Sequence, residues 1–363
     1  MSRILVALIL ATTLSTAALR AQEESTTLGG YGELHYNEPD GSAAGTLDFH
    51  RFVLFIGHSF NERLSFKSEL EVEHTKIEGG TGGEVALEQA YLDYHASEGF
   101  GLRAGILLPP VGIINQYHEP PTFHGVERPN VERVIIPTTW REAGAGIYGR
   151  PTPGVSYQLY VVAGLRAKDF TGDEGIREGR QEAAESTPVN PSLTGRIDYT
   201  AVAGLRLGGS FFAGNSTEGA SFGGGMVTLL SGDLQYDAGR FSLRALGATA
   251  SIADAEAINL AYGNDVADRL YGFYVEGAYD VMPLLCAESE ASLSPFIRYE
   301  KYNTQASVTG FTASPVNDRH DITVGATLRP TYNTAVKVDY QFFDNAAGSD
   351  AKALNLGIGY FFN

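Results

Sequence analysis

The sequence predicts an all-β protein, a transmembrane antiparallel up-and-down β-barrel of about sixteen strands. Three observations support this prediction. Apolar and polar residues alternate along segments throughout the chain, the connections between these segments alternate between short and long, and glycine and aromatic residues are abundant, with 43 Gly, 19 Tyr and 19 Phe. Because successive side chains of a strand point to opposite faces, each such segment has one apolar and one polar face.

Residues 1–21 have the pattern of a secretory signal peptide. Arg3 provides a positive start, residues 4–14 are apolar, and small residues lead to a predicted cleavage after Ala21. Removing Arg3 and Arg20 with this peptide takes the formal net charge from −17 to about −19. Such acidity disfavours nucleic acid as a partner.

Beyond residue 22 no window approaches eighteen consecutive apolar residues, so the sequence predicts no transmembrane helix. The single cysteine, Cys286, cannot form a disulfide within the chain. An exported chain of this kind must therefore be stabilised without covalent cross-links.

The predicted strands are defined by clean alternation. In LSFKSELEVEH, for example, Phe66, Leu70 and Val72 share one face with Ser68, and the charged residues of the segment take the other. The sixteen predicted strands are residues 27–38, 45–61, 64–78, 84–97, 100–112, 141–150, 155–166, 192–202, 204–214, 222–237, 240–253, 269–282, 292–304, 320–330, 335–344 and 353–362.

The connections after even-numbered strands are mostly tight, whereas those after odd-numbered strands are mostly longer; VMPLLCAESEAS after the twelfth strand is an exception. This asymmetry is typical of outer-membrane barrels. A soluble sandwich would need a very large core to cover sixteen apolar faces. A closed barrel instead satisfies every backbone hydrogen bond in lipid, so we expect the apolar faces to contact outer-membrane lipids and the charged faces to line a water-filled interior.

The chain ends in a strand with a strictly alternating apolar face. We expect this face to contact lipid, with its last two aromatic residues in the girdle near one membrane surface. The residues of this face are Leu354, Leu356, Ile358, Tyr360 and Phe362.

Three stretches carry a family resemblance. The segment 109–149, beginning PPVGIINQYHEPPTFHGVERPNVERV, together with YGELHYN and LDFHRFVLFIGHSFNERLSFKSELEVEH, resembles outer-membrane porins related to the phosphate-selective porin O and P family. The resemblance implies a sixteen-stranded pore, often a homotrimer. LNLGIGYFF also resembles the terminal signal that the barrel-assembly machinery recognises, although Asn363 follows the final aromatic residue.

Residues 113–140 form a long connection that contains four prolines and many apolar residues, so it is expected to fold against a wall. The resemblance implies that it dips into the lumen as a constriction loop. Its polar residues would then filter solutes by size and charge, although several could simply pin the loop to the wall. These candidates are Asn115, His118, Glu119, His124, Glu127, Arg128, Glu132 and Arg133.

Strand parity identifies candidate pore-lining charges. Both signs are interspersed, as in a wetted wall whose charges neutralise one another. A phosphate channel would require an excess of Lys and Arg that the sequence lacks, and the net acidity favours cations weakly. The candidates are Arg51, Lys67, Glu69, Glu71, Glu73, Arg103, Arg206, Arg244, Arg298, Glu300, Lys337 and Asp339.

The remaining long connection, residues 167–191, is charged and poor in bulky apolar residues, and it is predicted to be a solvated external loop. No catalytic motif, EF-hand or zinc-helix pattern is present, so we expect no enzyme, no cofactor and no metal. The sequence predicts an outer-membrane porin of a Gram-negative-type bacterium for passive diffusion of small hydrophilic solutes or ions. A plugged structural or adhesive barrel and a barrel enzyme are the alternatives.

Overall fold

The computed structural model describes residues 25–41, 44–78, 82–220 and 224–363. The predicted signal peptide, residues 1–21, lies outside the described residues. The described chain forms one closed antiparallel barrel of sixteen strands, which confirms the predicted fold class. The strands are β1 Ser25–Pro39, β2 Thr46–Ser59, β3 Leu64–Glu73, β4 Glu84–Ser97, β5 Phe100–Leu107, β6 Glu142–Thr152, β7 Val155–Val162, β8 Ser192–Tyr199, β9 Leu205–Asn215, β10 Met226–Ala238, β11 Phe241–Ile252, β12 Arg269–Tyr279, β13 Ser292–Ser307, β14 Asp318–Arg329, β15 Thr334–Asn345 and β16 Asp350–Phe362.

The barrel closes where the first strand pairs with the last. Gly30 pairs with Phe362 and the register continues to Pro39 opposite Ala353, so both edges of the sheet are used. Every other strand pairs with its neighbours in sequence. This closure leaves no open sheet edge.

The two rims differ as the sequence predicts. The short-turn end carries tight connections such as residues 98–99, 153–154 and 239–240, and the long-loop end carries residues 108–141 and 163–191. Among the described residues, two α-helices lie in connections: α1, Ala255–Tyr262, at the long-loop end and α2, Met282–Leu285, at the short-turn end. No helix in the described part of the chain is long and apolar enough to cross a membrane.

The outward face of the barrel is apolar and exposed around its whole circumference. Examples are Leu92, Leu193, Val275 and Ile358, each more than two-fifths exposed. Many exposed outward aromatic residues lie near the short-turn end, whereas Phe273, Tyr299 and Phe342 lie farther along their strands. Those near the short-turn end are Tyr94, Phe100, Tyr199, Tyr236, Phe241, Tyr279 and Phe362. An apolar band edged by aromatic side chains is typical of barrels in lipid.

The hydrophobic core lies inside the barrel. Residues of the two longest connections pack there against the inward faces of β7 and of β9 to β12, in a cluster that includes Trp140, Phe170, Ile176 and Phe212. Inward residues that faced only water would not form such a cluster. A large part of the lumen near the long-loop end is therefore occupied by folded chain.

Three predicted strands end four or five residues earlier in the structure. β3 ends at Glu73 because His74 and Thr75 have positive φ. β5 ends at Leu107, before Pro109 and Pro110, which cannot donate ladder hydrogen bonds. β7 ends at Val162, where the chain turns into the lumen.

Candidate functional site

The candidate site is built on residues 108–141, which we call the first inward loop. Wall carboxylates accept hydrogen bonds from it: Asp339 Oδ2 lies 2.6 Å from Val126 N, and Glu300 Oε1 lies 3.0 Å from Val131 N. A wall guanidinium donates to it, since Arg298 Nη2 lies 2.7 Å from His124 O. Charged groups of β13 and β15 therefore fasten the loop backbone to the inner wall.

Glycines on the wall make room for this loop. A Cβ at Gly357 of β16 would lie 3.1 Å from Val126, and one at Gly359 would overlap with Pro120. A Cβ at Gly272 of β12 would lie 3.0 Å from Ile135. The small residues on the inward face of the terminal strand are thus the surface against which the loop packs.

The buried carboxylate of Glu132 organises the interior of the loop. Its Oε2 accepts the backbone N–H groups of Ile113 (2.8 Å) and Ile114 (2.7 Å), and its Oε1 accepts the hydroxyl of Tyr274 on β12 (2.7 Å). Gly112 approaches this carboxylate with φ +74, a conformation that favours glycine. Burial raises the pKa of Glu132 to about 7.

Asn115 joins the two ends of the loop. Its amide nitrogen donates to Pro109 O (2.8 Å) and Trp140 O (3.1 Å), and its oxygen accepts Trp140 N (2.7 Å). The Trp140 ring is fully buried and lies 4.6 Å from the ring of Phe212 on β9. The loop is therefore a folded unit with its own hydrogen bonds and core.

Residues 163–191 form a second inward loop, which corrects the prediction that 167–191 is a solvated loop. Phe170 and Ile176 are buried in the core inside the barrel. Arg177 donates to the carbonyl oxygens of Arg133 (2.9 Å) and Thr138, while Arg180 donates to Thr139 O (2.7 Å). Buried apolar residues, which include Leu165 and Ala167, and these two arginines hold the charged segment against the first inward loop.

Two cavities lie on either side of the first inward loop. The long-loop cavity, about 800 Å³, is lined at the long-loop end by both signs of charge, among them Glu33, Arg51 and Arg180. The short-turn cavity, about 670 Å³, is lined by Arg206, Arg244, Glu276 and others. Phe123 lines both cavities, and Lys337 Nζ lies 3.8 Å from the centroid of its ring.

The predicted constriction residues divide into two groups. Glu127, Arg128 and Arg133 line the long-loop cavity, and His124 lines the short-turn cavity. Burial and the nearby cations lower the pKa of His124 to about 2, so the imidazole is neutral. The others contact protein rather than a large cavity. Asn115 and Glu132 hold the loop together, and His118 and Glu119 lie towards β3 and β4, where His118 is buried and Glu119 is half-buried.

The predicted pore-lining charges also divide. Arg51, Glu71 and Glu73 line the long-loop cavity, and Arg206, Arg244 and Arg298 line the short-turn cavity. Lys67, Glu69 and Arg103 line smaller cavities near the short-turn end. The first inward loop covers the rest, so Glu300, Lys337 and Asp339 are at most 4 % exposed.

Several inward charges were missed by the sequence reasoning. Arg196 holds Asp233 through two hydrogen bonds of 2.8 and 2.9 Å and donates to Gly112 O (2.9 Å). Glu33 pairs with Arg51 at 2.9 Å, and Glu276 pairs with Arg298 at 2.7 Å. Strand parity applied to every strand could have found all of these residues. It could not have found Glu88, because a bulge in β4 re-aims that residue.

The fold resembles known outer-membrane proteins, and no known protein-family profile matches the sequence. The chain superposes on a loop-deletion mutant of OmpT, an outer-membrane protein of Vibrio cholerae, with TM-score 0.61 and 10 % identity over 93 % of this chain and 99 % of that one. OmpF of Salmonella typhi gives TM-score 0.61 and 15 % identity over 93 % and 98 %. The outer-membrane channel DcaP of Acinetobacter baumannii gives 0.59 and 13 % over 94 % and 98 %. At such identities the likeness concerns the fold, which is porin-like.

The chain is also similar in sequence to a bacterial protein. An uncharacterized protein of Aquifex aeolicus (strain VF5) is 40 % identical over 332 residues, which cover 88 % of this chain and 76 % of that protein. Identity of this extent spans most of both chains, so the chain belongs to the same protein family as this Aquifex aeolicus protein.

Proposed function

We propose that the chain is an outer-membrane porin, a channel for passive diffusion of small hydrophilic solutes or ions. The observation that carries this proposal is the arrangement of the two cavities, which approach each other from opposite ends of the barrel and share Phe123. In this proposal residues 121–128 of the first inward loop set the bore, and the charges around them filter solutes. The porin-like fold supports the same role.

We propose an outer-membrane location in a Gram-negative-type bacterium, which the outward face of the barrel supports. Apolar side chains such as Leu92 and Ile358 are exposed on strands all around the barrel, which suits contact with lipid. Fractionation of cells expressing the full chain should recover the protein in outer membranes. Recovery as a compact species that stays dissolved without detergent would contradict the proposal.

Phe123 provides the sharpest test of the channel. Phe123→Ala should increase single-channel conductance in planar bilayers, because it removes the side chain that both cavities share, and Phe123→Trp should decrease it. Tyr332→Ala, a change at the exposed rim of the short-turn cavity, is the matched control and should change conductance less. Equal conductance of the two Phe123 variants would rule out this residue as the bottleneck.

Deletion of residues 118–134 tests the whole loop. The deletion should enlarge conductance and let larger sugars swell liposomes, whereas deletion of residues 309–313 from the rim loop between β13 and β14 should leave both unchanged. A plugged structural or adhesive barrel would give no swelling with the intact chain. Unchanged conductance after the larger deletion would refute the constriction role.

The charges that reach the cavities support a proposal about solute preference. The long-loop cavity has Arg133, Arg141 and Arg180 together with Glu33, Glu73 and Glu127 among its lining residues. This mixture supports a channel without strong preference for one sign of charge. The relation to the phosphate-selective porin O and P family, based on residues 109–149, remains a prediction that reversal potentials in phosphate and chloride gradients can test.

Export, assembly and trimer formation complete the proposal. Residues 1–21 would direct export, and the terminal face ending in Tyr360 and Phe362 would be recognised by the barrel-assembly machinery. Replacing Phe362 with Ser should reduce the folded fraction in cells, as judged by heat-modifiable mobility on gels. Trimer formation is inferred from the family resemblance alone, and an unheated band at the monomer position together with monomer mass in detergent would contradict it.

A further inference from the structure

We propose that Glu69, Glu88 and His118 bind a divalent transition-metal ion that ties the first inward loop to the barrel wall. The three residues come from β3, β4 and the loop, and each offers one ligand atom within 4.8 Å of the other two. His118 Nε2 lies 3.2 Å from Glu88 Oε2 and 3.9 Å from Glu69 Oε2. Ligands at about 2.1 Å around a tetrahedral zinc ion lie about 3.4 Å apart, so these distances match one shared ion.

Buried oxygens without donors point to a missing ligand. Among the residues that the structure describes, Glu88 Oε1 and Glu69 Oε2 accept no hydrogen bond although both atoms are buried, and Glu88 is fully inaccessible. The buried hydroxyl of Tyr31, whose ring lies 5.9 Å from the His118 ring, also has no hydrogen-bond partner within the described residues. A buried carboxylate oxygen without a donor is costly, and a cation would remove that cost.

The surroundings orient the three side chains as a metal site requires. His118 Nδ1 lies 3.1 Å from the carbonyl oxygen of Asn115, a contact that leaves Nε2 facing the two carboxylates. Gln89 Nε2 donates to Glu69 Oε1 at 2.7 Å, so Oε2 turns towards His118. Metal-bound histidines usually donate their other nitrogen to a carbonyl or carboxylate in this way.

The backbone of β4 is irregular at the proposed site. Glu69 of β3 pairs with Gln89 and Leu70 pairs with Leu87, so Glu88 is an extra residue in β4 that is turned into the interior. Bulges commonly re-aim a side chain next to functional sites. An ion can reach the site from the cavity of about 260 Å³ that Glu69 lines together with Lys67 and Tyr91.

A protonated His118 would also neutralise part of the negative charge of Glu69 and Glu88. Burial opposes the positive charge, but the neighbouring Glu88 carboxylate raises the pKa of His118 to about 9. Arg51 and Arg128 also place positive charge near Glu88, and an imidazolium and a metal ion are the two candidates for a cation between the two carboxylates. An imidazole with a carboxylate pair favours zinc-like ions over Ca²⁺ or Mg²⁺, which select oxygen ligands.

The test uses the full, tag-free chain purified in detergent and stripped with EDTA. Titration with Zn²⁺ should show one ion bound per chain, while Ca²⁺ should not compete. X-ray absorption should show one imidazole and oxygen ligands. His118→Asn and Glu69→Gln should each weaken binding at least tenfold, as should Glu88→Gln, with folding checked by heat-modifiable mobility. Glu69→Gln is the variant least expected to disturb folding, because the Glu69 side chain is partly exposed.

The control uses a second group of potential metal ligands, which lies at the rim and contains two histidines. Its members are Asp48, His50 and His74. His74→Asn should leave Zn²⁺ binding unchanged. Two imidazoles in the absorption spectrum, loss of binding in His74→Asn, or no Zn²⁺ retained by the intact chain would each overturn the proposal. In the last case the imidazolium is the cation at this site. These outcomes do not depend on whether the barrel conducts solutes.

Discussion

The interior of the barrel has two walls that hold the same loop by different means. The charged wall comprises inward residues of β13 to β15, such as Arg298, Glu300 and Asp339, and it contacts residues 121–131 through hydrogen bonds. The apolar wall comprises inward residues of β9 to β12 near the long-loop end: Phe212, Val227, Leu229, Leu246, Ala250, Ile252 and Leu270. It packs with residues 131–136 and with the second inward loop.

The two walls contribute differently to the stability of the loop and to its position in the lumen. Burial against the apolar wall provides non-directional stabilisation, roughly in proportion to the area removed from water. The charged wall fixes position, because each hydrogen bond requires one atom in one place. We infer that the apolar wall supplies most of the stability of the loop, whereas the charged wall decides where residues 121–128 lie in the lumen.

The largest effect is expected on the apolar wall. Ile135 is fully buried and faces Gly272 of β12. Ile135→Asp places an unpaired charge in this core and should lower the free energy of unfolding by about 4 kcal/mol. Ile135→Val, the control, should cost about 1 kcal/mol. Urea unfolding in detergent, followed by the fluorescence of Trp140, the single tryptophan, gives both values. Equal costs would show that this side of the lumen is hydrated.

The next effect concerns the charged wall. Arg298 is 1 % exposed, pairs with Glu276 at 2.7 Å and donates to His124 O. Arg298→Met leaves the carboxylates of Glu276 and Glu300 without this cation, so we expect a loss of about 3 kcal/mol and a shift of ion preference towards cations. Lys67→Met, a change at an exposed residue, removes the same charge from the lumen without removing a contact to the first inward loop. If both variants shift reversal potential and stability equally, position on the wall is irrelevant.

A smaller effect is expected when a side chain fills the space that a wall glycine leaves for the loop. Gly359→Leu would push residues 119–122 away from β16, because even a Cβ at Gly359 overlaps with Pro120. We expect a loss of about 2 kcal/mol from overpacking and a changed conductance. Gly277→Leu adds the same side chain on the outward face, where nothing lies within 4 Å. Wild-type conductance in Gly359→Leu would mean that the loop does not rest on this strand.

The strands were predictable because each has an outward face that must be apolar whatever the lumen contains. In β15, for example, Val336 and Val338 alternate with Lys337 and Asp339, and predicted and observed bounds differ by one residue at each end. The same alternation carries no information on what covers the inward face. Lys337 is predicted to line the pore, yet the loop covers it almost completely, because residues far away in sequence decide which inward charges are dry.

The apolar wall left a weaker signal in the sequence. In β11 the inward residues Leu246, Ala248 and Ala250 face a lumen that was predicted to be wet, and their apolar character marks the place where loops pack. The second inward loop was predicted to be solvated because charge dominates its composition. Phe170 and Ile176, together with Leu165 and Ala167 at its start, anchor it, and only tertiary packing shows that these few apolar residues are enough.

Per pH unit, the smallest expected effect is a pH dependence that originates in the loop. Burial raises the pKa of Glu132 from its ordinary value of 4.5 to about 7. The folded chain therefore keeps this proton at a pH where the unfolded chain has released it. The contribution of Glu132 to the free energy of unfolding is complete below pH 4.5 and is lost as the pH rises to about 7, with a slope of at most about 1.4 kcal/mol per pH unit.

Glu132→Gln should remove this slope between pH 4.5 and 7 while Trp140 stays buried, and Glu178→Gln, a change in the exposed part of the second inward loop, should retain it. The Trp140 unfolding assay measures both. An unchanged slope in Glu132→Gln would mean that water reaches this carboxylate between the two walls. Glu132 would then belong to the wetted part of the lumen, next to the charged wall. The dry part of the lumen would end between Glu132 and β12 of the apolar wall.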